Sequence, residues 1–158
     1  MTIKHQVQGR ANKRRGDAVE KRVARLLADM GYVMIERVHT PFTLIRRGKK
    51  IVGAFPRERV SGDFRAVATG VIHNPTVTDG GSVMVDPSLK GLSVLVEVKS
   101  RPDRLQWSAL EKHQVEALNE HAQYSDHTWL FFHDSETDTI TKYRWPIHGY
   151  GPGKSLKP

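Results

Sequence analysis

Three residues in this chain have the types and spacing to break a phosphate ester. Glu97 and Lys99 close the run Leu95-Val96-Glu97-Val98-Lys99, and Asp63 stands in Ser61-Gly62-Asp63-Phe64. If the run is a strand, side chains alternate between its faces, so Val94, Val96 and Val98 share one side while Glu97 and Lys99 share the other. An acid and a base at the end of so apolar a stretch need a reason, because burying ionised groups is costly unless they are paired or hold a metal. A structural salt bridge would satisfy Glu97 and Lys99 alone. Asp63 adds a second carboxylate, opening a strand after a small, flexible pair. With the backbone carbonyl of Val98, the two carboxylates offer a hard divalent cation its oxygen ligands and leave other positions to water and a phosphate oxygen. Mg2+ is the expected ion, with Mn2+ as its substitute. Lys99 would hold or polarise the attacking water and offset the charge growing on the phosphorane.

The elements that must position these residues follow from periodicity. From Gly16 to Met30, Val19, Val23, Leu26, Leu27 and Met30 recur at helical spacing, and Gly31 supplies the stop. Tyr32 to Val38 reads as a strand, with a bend near Pro41. Phe42 to Ile45 and Ile51 to Phe55 flank the basic turn Arg46-Arg47-Gly48-Lys49-Lys50 as the arms of a projecting hairpin. Arg59 to Val67 is a further expected strand. Ala68 to Leu92 is dense in turn formers and reads as an inserted loop with one hairpin.

Leu92 to Lys99 is nearly continuous in apolar residues, as in a strand covered on both faces. Helical spacing resumes from Leu105 to His121 through Trp107, Leu110, Ala117 and Leu118. Thr128 to His133 reads as a buried strand and Thr139 to Trp145 as an edge strand. The order implies an α/β fold with a mixed central sheet flanked by helices. The expected layout is a basic, flexible arm at 1–15, one domain at 16–148 with a basic excursion at 42–60 and an inserted loop at 68–92, and an irregular tail at 149–158.

A length of 158 residues fits one domain. No apolar stretch approaches the roughly 20 residues that a membrane span needs. Residues 1–15 are polar and basic without an apolar core, unlike a secretory signal, so a cytoplasmic location is expected. The absence of cysteine excludes disulfides, thiolate zinc sites and cysteine nucleophiles. His113, His121, His127 and His133 form no pair with zinc-ligand spacing, and zinc is rejected.

The net charge of +8 points to a polyanionic partner, nucleic acid before membrane. Residues 1–25 hold eight Lys or Arg against Asp17 and Glu20, and 46–59 hold six against Glu58. Arg14, Arg15, Lys21, Arg46, Arg47, Lys49, Lys50, Arg57, Arg59 and Arg101 are the expected contacts to DNA phosphates. A solvated surface is the alternative for the first cluster. Trp107 and Trp129 fall where core is expected, with stacking on bases as their alternative.

An acid followed by Glu-x-Lys on the next long strand resembles the signature of PD-(D/E)XK nucleases. The opening Arg15-Gly16-Asp17-Ala18-Val19-Glu20, its helix and Gly31-Tyr32 resemble Holliday junction resolvases of the archaeal Hjc type. Thr40-Pro41 before a basic excursion, Asp63-Phe64, Glu97-Val98-Lys99 and His113-Gln114 resemble the bacterial RecU resolvases. Gly62 replaces the usual proline before the aspartate. The 33 residues between Asp63 and Glu97 exceed the gap usual in either family, which leaves 68–92 outside the resemblance.

The resemblance implies a restriction-endonuclease-like αβββαβ core and a homodimer that makes paired nicks in a four-way DNA junction. It also implies that 46–59 enters the junction as a stalk, that Glu20 belongs to the active site, and that Gln114 orients groups near the metal. Ser61 would touch the scissile phosphate, with turn chemistry as its alternative. At the edge of the stripe made by Val23, Ala24 and Leu27, Glu20 can face the sheet and support the metal directly or through water; a first-turn acid favoured by the helix dipole is the alternative. Two other functions fit the same residues: a repair, restriction-like or phage nuclease of this superfamily, and a non-catalytic DNA-binding module.

Overall fold

The computed structural model describes residues 3–39, 42–56, 62–73, 83–85, 88 and 90–158, with side chains at 13–39, 45, 47–49, 62–70, 88 and 90–158. The first half runs α1 (Ile3–Asp29), β1 (Tyr32–Arg37), β2 (Phe42–Arg47), β3 (Lys50–Pro56), β4 (Phe64–Ala68), β5 (Val71–His73) and β6 (Val83–Val85). It continues with β7 (Ser93–Arg101), β8 (Leu105–Gln106), a 3-10 turn (Trp107–Ala109), α2 (Lys112–Ala122), β9 (Thr128–Asp134), β10 (Thr139–Arg144) and β11 (Ser155–Leu156). Five strands form one sheet in the order β1-β4-β7-β9-β10. Its pairs are antiparallel except β7 with β9, which α2 connects as a parallel crossover. The chain is thus α/β with a mixed sheet, as its periodicity implies.

Alternation along β7 sorts two cores. Val94 and Val96 meet Val19, Val23 and Leu27 of α1, together with Phe64 and Phe131. On the other face Leu95 joins Leu118 of α2, Leu110, Leu130 and Phe132. Each such side chain, fully buried, stabilises the fold by about 1.5–3 kcal/mol. Covered on both faces, β7 is a rigid support for whatever its last residues carry.

Turn chemistry anticipated both hairpins: β2 pairs with β3 around Gly48-Lys49, and β5 pairs with β6 inside the inserted segment. Four expectations need correction. The expected flexible arm is helical from Ile3, because residues 3–15 hold no proline and a single glycine among good helix formers. The second helix begins at Lys112 rather than Leu105. Leu105 and Gln106 instead pair with Leu156 and Ser155, and Glu111 caps α2 through a reciprocal capping box with Gln114. That pairing also gives the expected irregular tail a strand. β4 begins at Phe64, not Arg59; the segment 57–61 and the bend near Pro41 lie outside the described residues. Among the described residues no helix is long and apolar enough to cross a membrane.

Candidate active site

Where β4 begins, Asp63 is held on three sides. Its amide donates to the Val96 carbonyl (2.7 Å), its carbonyl accepts from the Val38 amide (2.9 Å), and Oδ2 accepts from the Val98 amide (2.7 Å). Gly62 makes this approach possible. Its φ is +84°, and a Cβ there would stand 2.5 Å from Leu95 Cδ1 and 3.3 Å from the Val96 carbonyl. Proline, with φ fixed near −65°, cannot occupy that conformation. The Gly62 amide also donates to the Glu97 carboxylate.

On the α2 face of β7, Lys99 Nζ lies 2.9 Å from Glu97 Oε1 and donates to Gln114 Oε1 at 2.9 Å. Gln114 Nε2 donates in turn to Glu97 Oε1 (2.5 Å), and Gln114 Oε1 also accepts from the Glu111 amide (3.0 Å). One side chain therefore caps α2 and fixes an acid and a base on β7. Glu97 is 1% exposed, while the Lys99 side chain keeps 17% exposure. The lysine is the member that solvent or a substrate can reach.

Glu20, on α1, is ion-paired with Arg37 at the end of β1; Arg37 also bonds Asp17 Oδ1 at 3.0 Å. Burial raises the Glu20 carboxyl above its ordinary range against the pull of Arg37, and the nearby Asp63 charge raises it further. Asp63 is raised mainly by its burial, opposed first by the Val98 hydrogen bond and then by the Lys99 and Arg37 charges. Burial pushes Glu97 up to about 7, the Asp63 charge adding to the effect and Lys99 acting against it. Two buried carboxylates thus face each other with incomplete compensation, a situation that favours protonation or a cation.

Among the described residues no group of three or more His, Cys, Asp or Glu side chains forms a metal cage. The donors that Mg2+ needs are fewer, since it keeps several waters and takes one or two carboxylates. Asp63 and Glu97 supply those. The Val98 amide meets Asp63, and because one residue's N–H and C=O leave the same edge of a strand, its carbonyl leaves β7 on that edge too. This all-oxygen set fits the ion.

Of the residues singled out from sequence, Glu97, Lys99 and Gln114 are in mutual contact, Asp63 lies beside them, and Glu20 reaches Asp63 electrostatically while its direct partner is Arg37. Arg14, Arg15 and Lys21 are exposed on α1, and Arg47 and Lys49 on the hairpin. Arg101 is exposed at the end of β7, its guanidinium on the Ser100 carbonyl (3.2 Å). The side chains of Arg46 and Lys50, and the whole of Arg57, Arg59 and Ser61, lie outside the described residues. Sequence reading missed Arg37, the last residue of β1, whose pairing with Asp17 and Glu20 in the middle of α1 arises only when the strand and the helix meet in space. Comparison with protein-family models, curated proteins and solved structures finds no match.

Proposed function

We propose that this chain is a Mg2+-dependent endonuclease of branched DNA that acts as a homodimer, nicking a four-way junction in paired, symmetric fashion. The observation that carries the reading is the bonded group of Glu97, Lys99 and Gln114 beside Asp63 at the end of β7, a strand covered on both faces. Two features support the superfamily. With both hairpins and the short β8–β11 pair set aside, the element order is α, three antiparallel strands, α, a parallel strand and an antiparallel edge strand, which contains the order that the resemblance implies. The net charge of +8 and the basic residues on α1 and the first hairpin suit a phosphate backbone read by shape rather than sequence.

Asp63, Glu97 and the Val98 carbonyl would hold Mg2+, which when bound neutralises phosphate charge and makes water a stronger nucleophile near neutral pH. The residues of the chain do the rest. Lys99 has three N–H donors, and Glu97 and Gln114 engage two, so the third is directed at an incoming water or phosphate oxygen. Its fixed charge stabilises the pentacovalent phosphorus without reorganising during the reaction. Gln114 keeps Lys99 and Glu97 in one geometry. Arg37 restrains Glu20 and lowers the repulsion that Asp63 meets.

The substrate is tested by mapping products from an end-labelled four-way junction and from linear duplex of the same arm sequence. Paired nicks at symmetric positions of the junction, with the duplex spared, are expected. Equal cutting of both, or single asymmetric nicks, would exclude junction resolution and leave a nuclease of another DNA structure.

A further inference from the structure

Beyond the end of β7, the loop after Arg101 and the C-terminal segment enclose a pocket of about 310 Å³ between Arg104, Trp107 and Lys154. Through Arg104 and Gln106 it adjoins a second of about 400 Å³ that begins at Arg101. Arg101 follows Lys99 by two residues on the same face of β7, so the two pockets lead away from the candidate active site. No acid lines the first pocket. Its size falls at the lower end of small-ligand pockets, which run from about 300 to 1,000 Å³. A duplex does not enter such a space.

The walls are built into the fold. The Trp107 amide donates to the Lys154 carbonyl (2.9 Å), and the Lys154 amide donates to Gly151 (2.9 Å). Trp107, expected as a core residue, is half-buried: it stacks on Trp145 at 5.9 Å and also lines the pocket. Arg104 Nε donates to Asp103 Oδ2 (2.7 Å), and the Asp103 amide is tied to the buried Asp134 Oδ1 (3.0 Å). With Nε taken, the guanidinium keeps its terminal amino groups for an anion.

We propose that this pocket is a subsite for one unpaired nucleotide of the DNA, its phosphate between Arg104 and Lys154 and its base against Trp107. An aromatic surface flanked by cations is the combination that captures single strands without reading sequence. The inference rests on the endonuclease reading and adds to it where an unpaired strand beside the cut is held.

The test is fluorescence anisotropy of a labelled duplex carrying a single-stranded tail, against the same duplex with blunt ends, with divalent ions withheld. Wild type is expected to prefer the tailed DNA. Arg104→Ala combined with Lys154→Ala should weaken tailed binding about tenfold or more and reduce the salt slope by roughly 0.7, from the one phosphate the two residues hold, with blunt binding unchanged. Trp107→Phe keeps an aromatic ring against Trp145 and should lose the quenching of intrinsic fluorescence that the tail produces in wild type. Equal affinity of wild type for both DNAs, or unchanged tail preference and salt slope in the double variant, overturns the subsite. Wild-type cleavage with Mg2+ would in either case leave the endonuclease reading standing; a chain that neither binds nor cuts DNA overturns both.

Discussion

Replacing Glu97 with Gln keeps the shape of the side chain and removes the charge that the fold tolerates least. A carboxyl that titrates at 4.5 when exposed and near 7 in the native chain is favoured in its protonated form by about 3 kcal/mol. Between those values the native state holds a proton that the unfolded chain has released. Stability therefore falls as pH rises through this window, and wild type without metal should lose about 3 kcal/mol across it from this group. Glu97→Gln, a mimic of the protonated form, should lose little there and should melt roughly 6–12 °C above wild type at about pH 8. The variant also relieves Asp63, which acts in the same direction. Thermal melts in EDTA across the pH series measure the difference, in which contributions from acids remote from Glu97 and Asp63 cancel. Added Mg2+ should raise the wild-type melting temperature and leave the variant's unchanged. Parallel pH profiles for the two proteins, or a variant less stable than wild type at the upper pH, would refute the electrostatic reasoning.

Three other outcomes are expected. Lys99→Ala should lower the single-turnover cleavage rate by about a hundred- to a thousandfold while junction binding measured by gel shift persists, and a rate within a few-fold of wild type would remove Lys99 from the chemistry. Gly62→Ala forces a Cβ onto Leu95 at positive φ and should cost about 1–3 kcal/mol in urea unfolding, with a matching loss of cleavage as the Gly62 amide leaves Glu97. A neutral Gly62→Ala would show that the backbone there relaxes freely. Arg37→Met should destabilise the protein near neutral pH by about 1 kcal/mol through its half-exposed ion pairs with Glu20 and Asp17, an effect that high salt reduces.

The strand carrying Glu97 and Lys99 was legible because its alternation is simple and its burial leaves one register. α1 from Gly16 onward was legible for the same kind of reason, since Val19, Val23 and Leu27 mark a single stripe. The stretch from Leu105 to Leu110 was not. Its apolar spacing mimics a helix, but the residues are buried by a strand pair with Leu156 and by stacking of Trp107 on Trp145, long-range contacts that periodicity does not encode. The spacing Glu111-x-x-Gln114 held the better signal for the start of α2. Arg37 escaped notice because its role depends on α1 and β1 meeting in space. Gln114, singled out through a resemblance, acquires a physical account from its three hydrogen bonds.

Whether Asp63 and its neighbours cut DNA is tested most directly by incubating wild type and Asp63→Asn with supercoiled plasmid and with a four-way junction, each with Mg2+ and with EDTA. Wild type should cut in Mg2+ alone, and Asp63→Asn should bind the junction without cutting it. Folded wild type that leaves every DNA intact in Mg2+, or an Asp63→Asn variant that cuts at the wild-type rate, would contradict the assignment of this site.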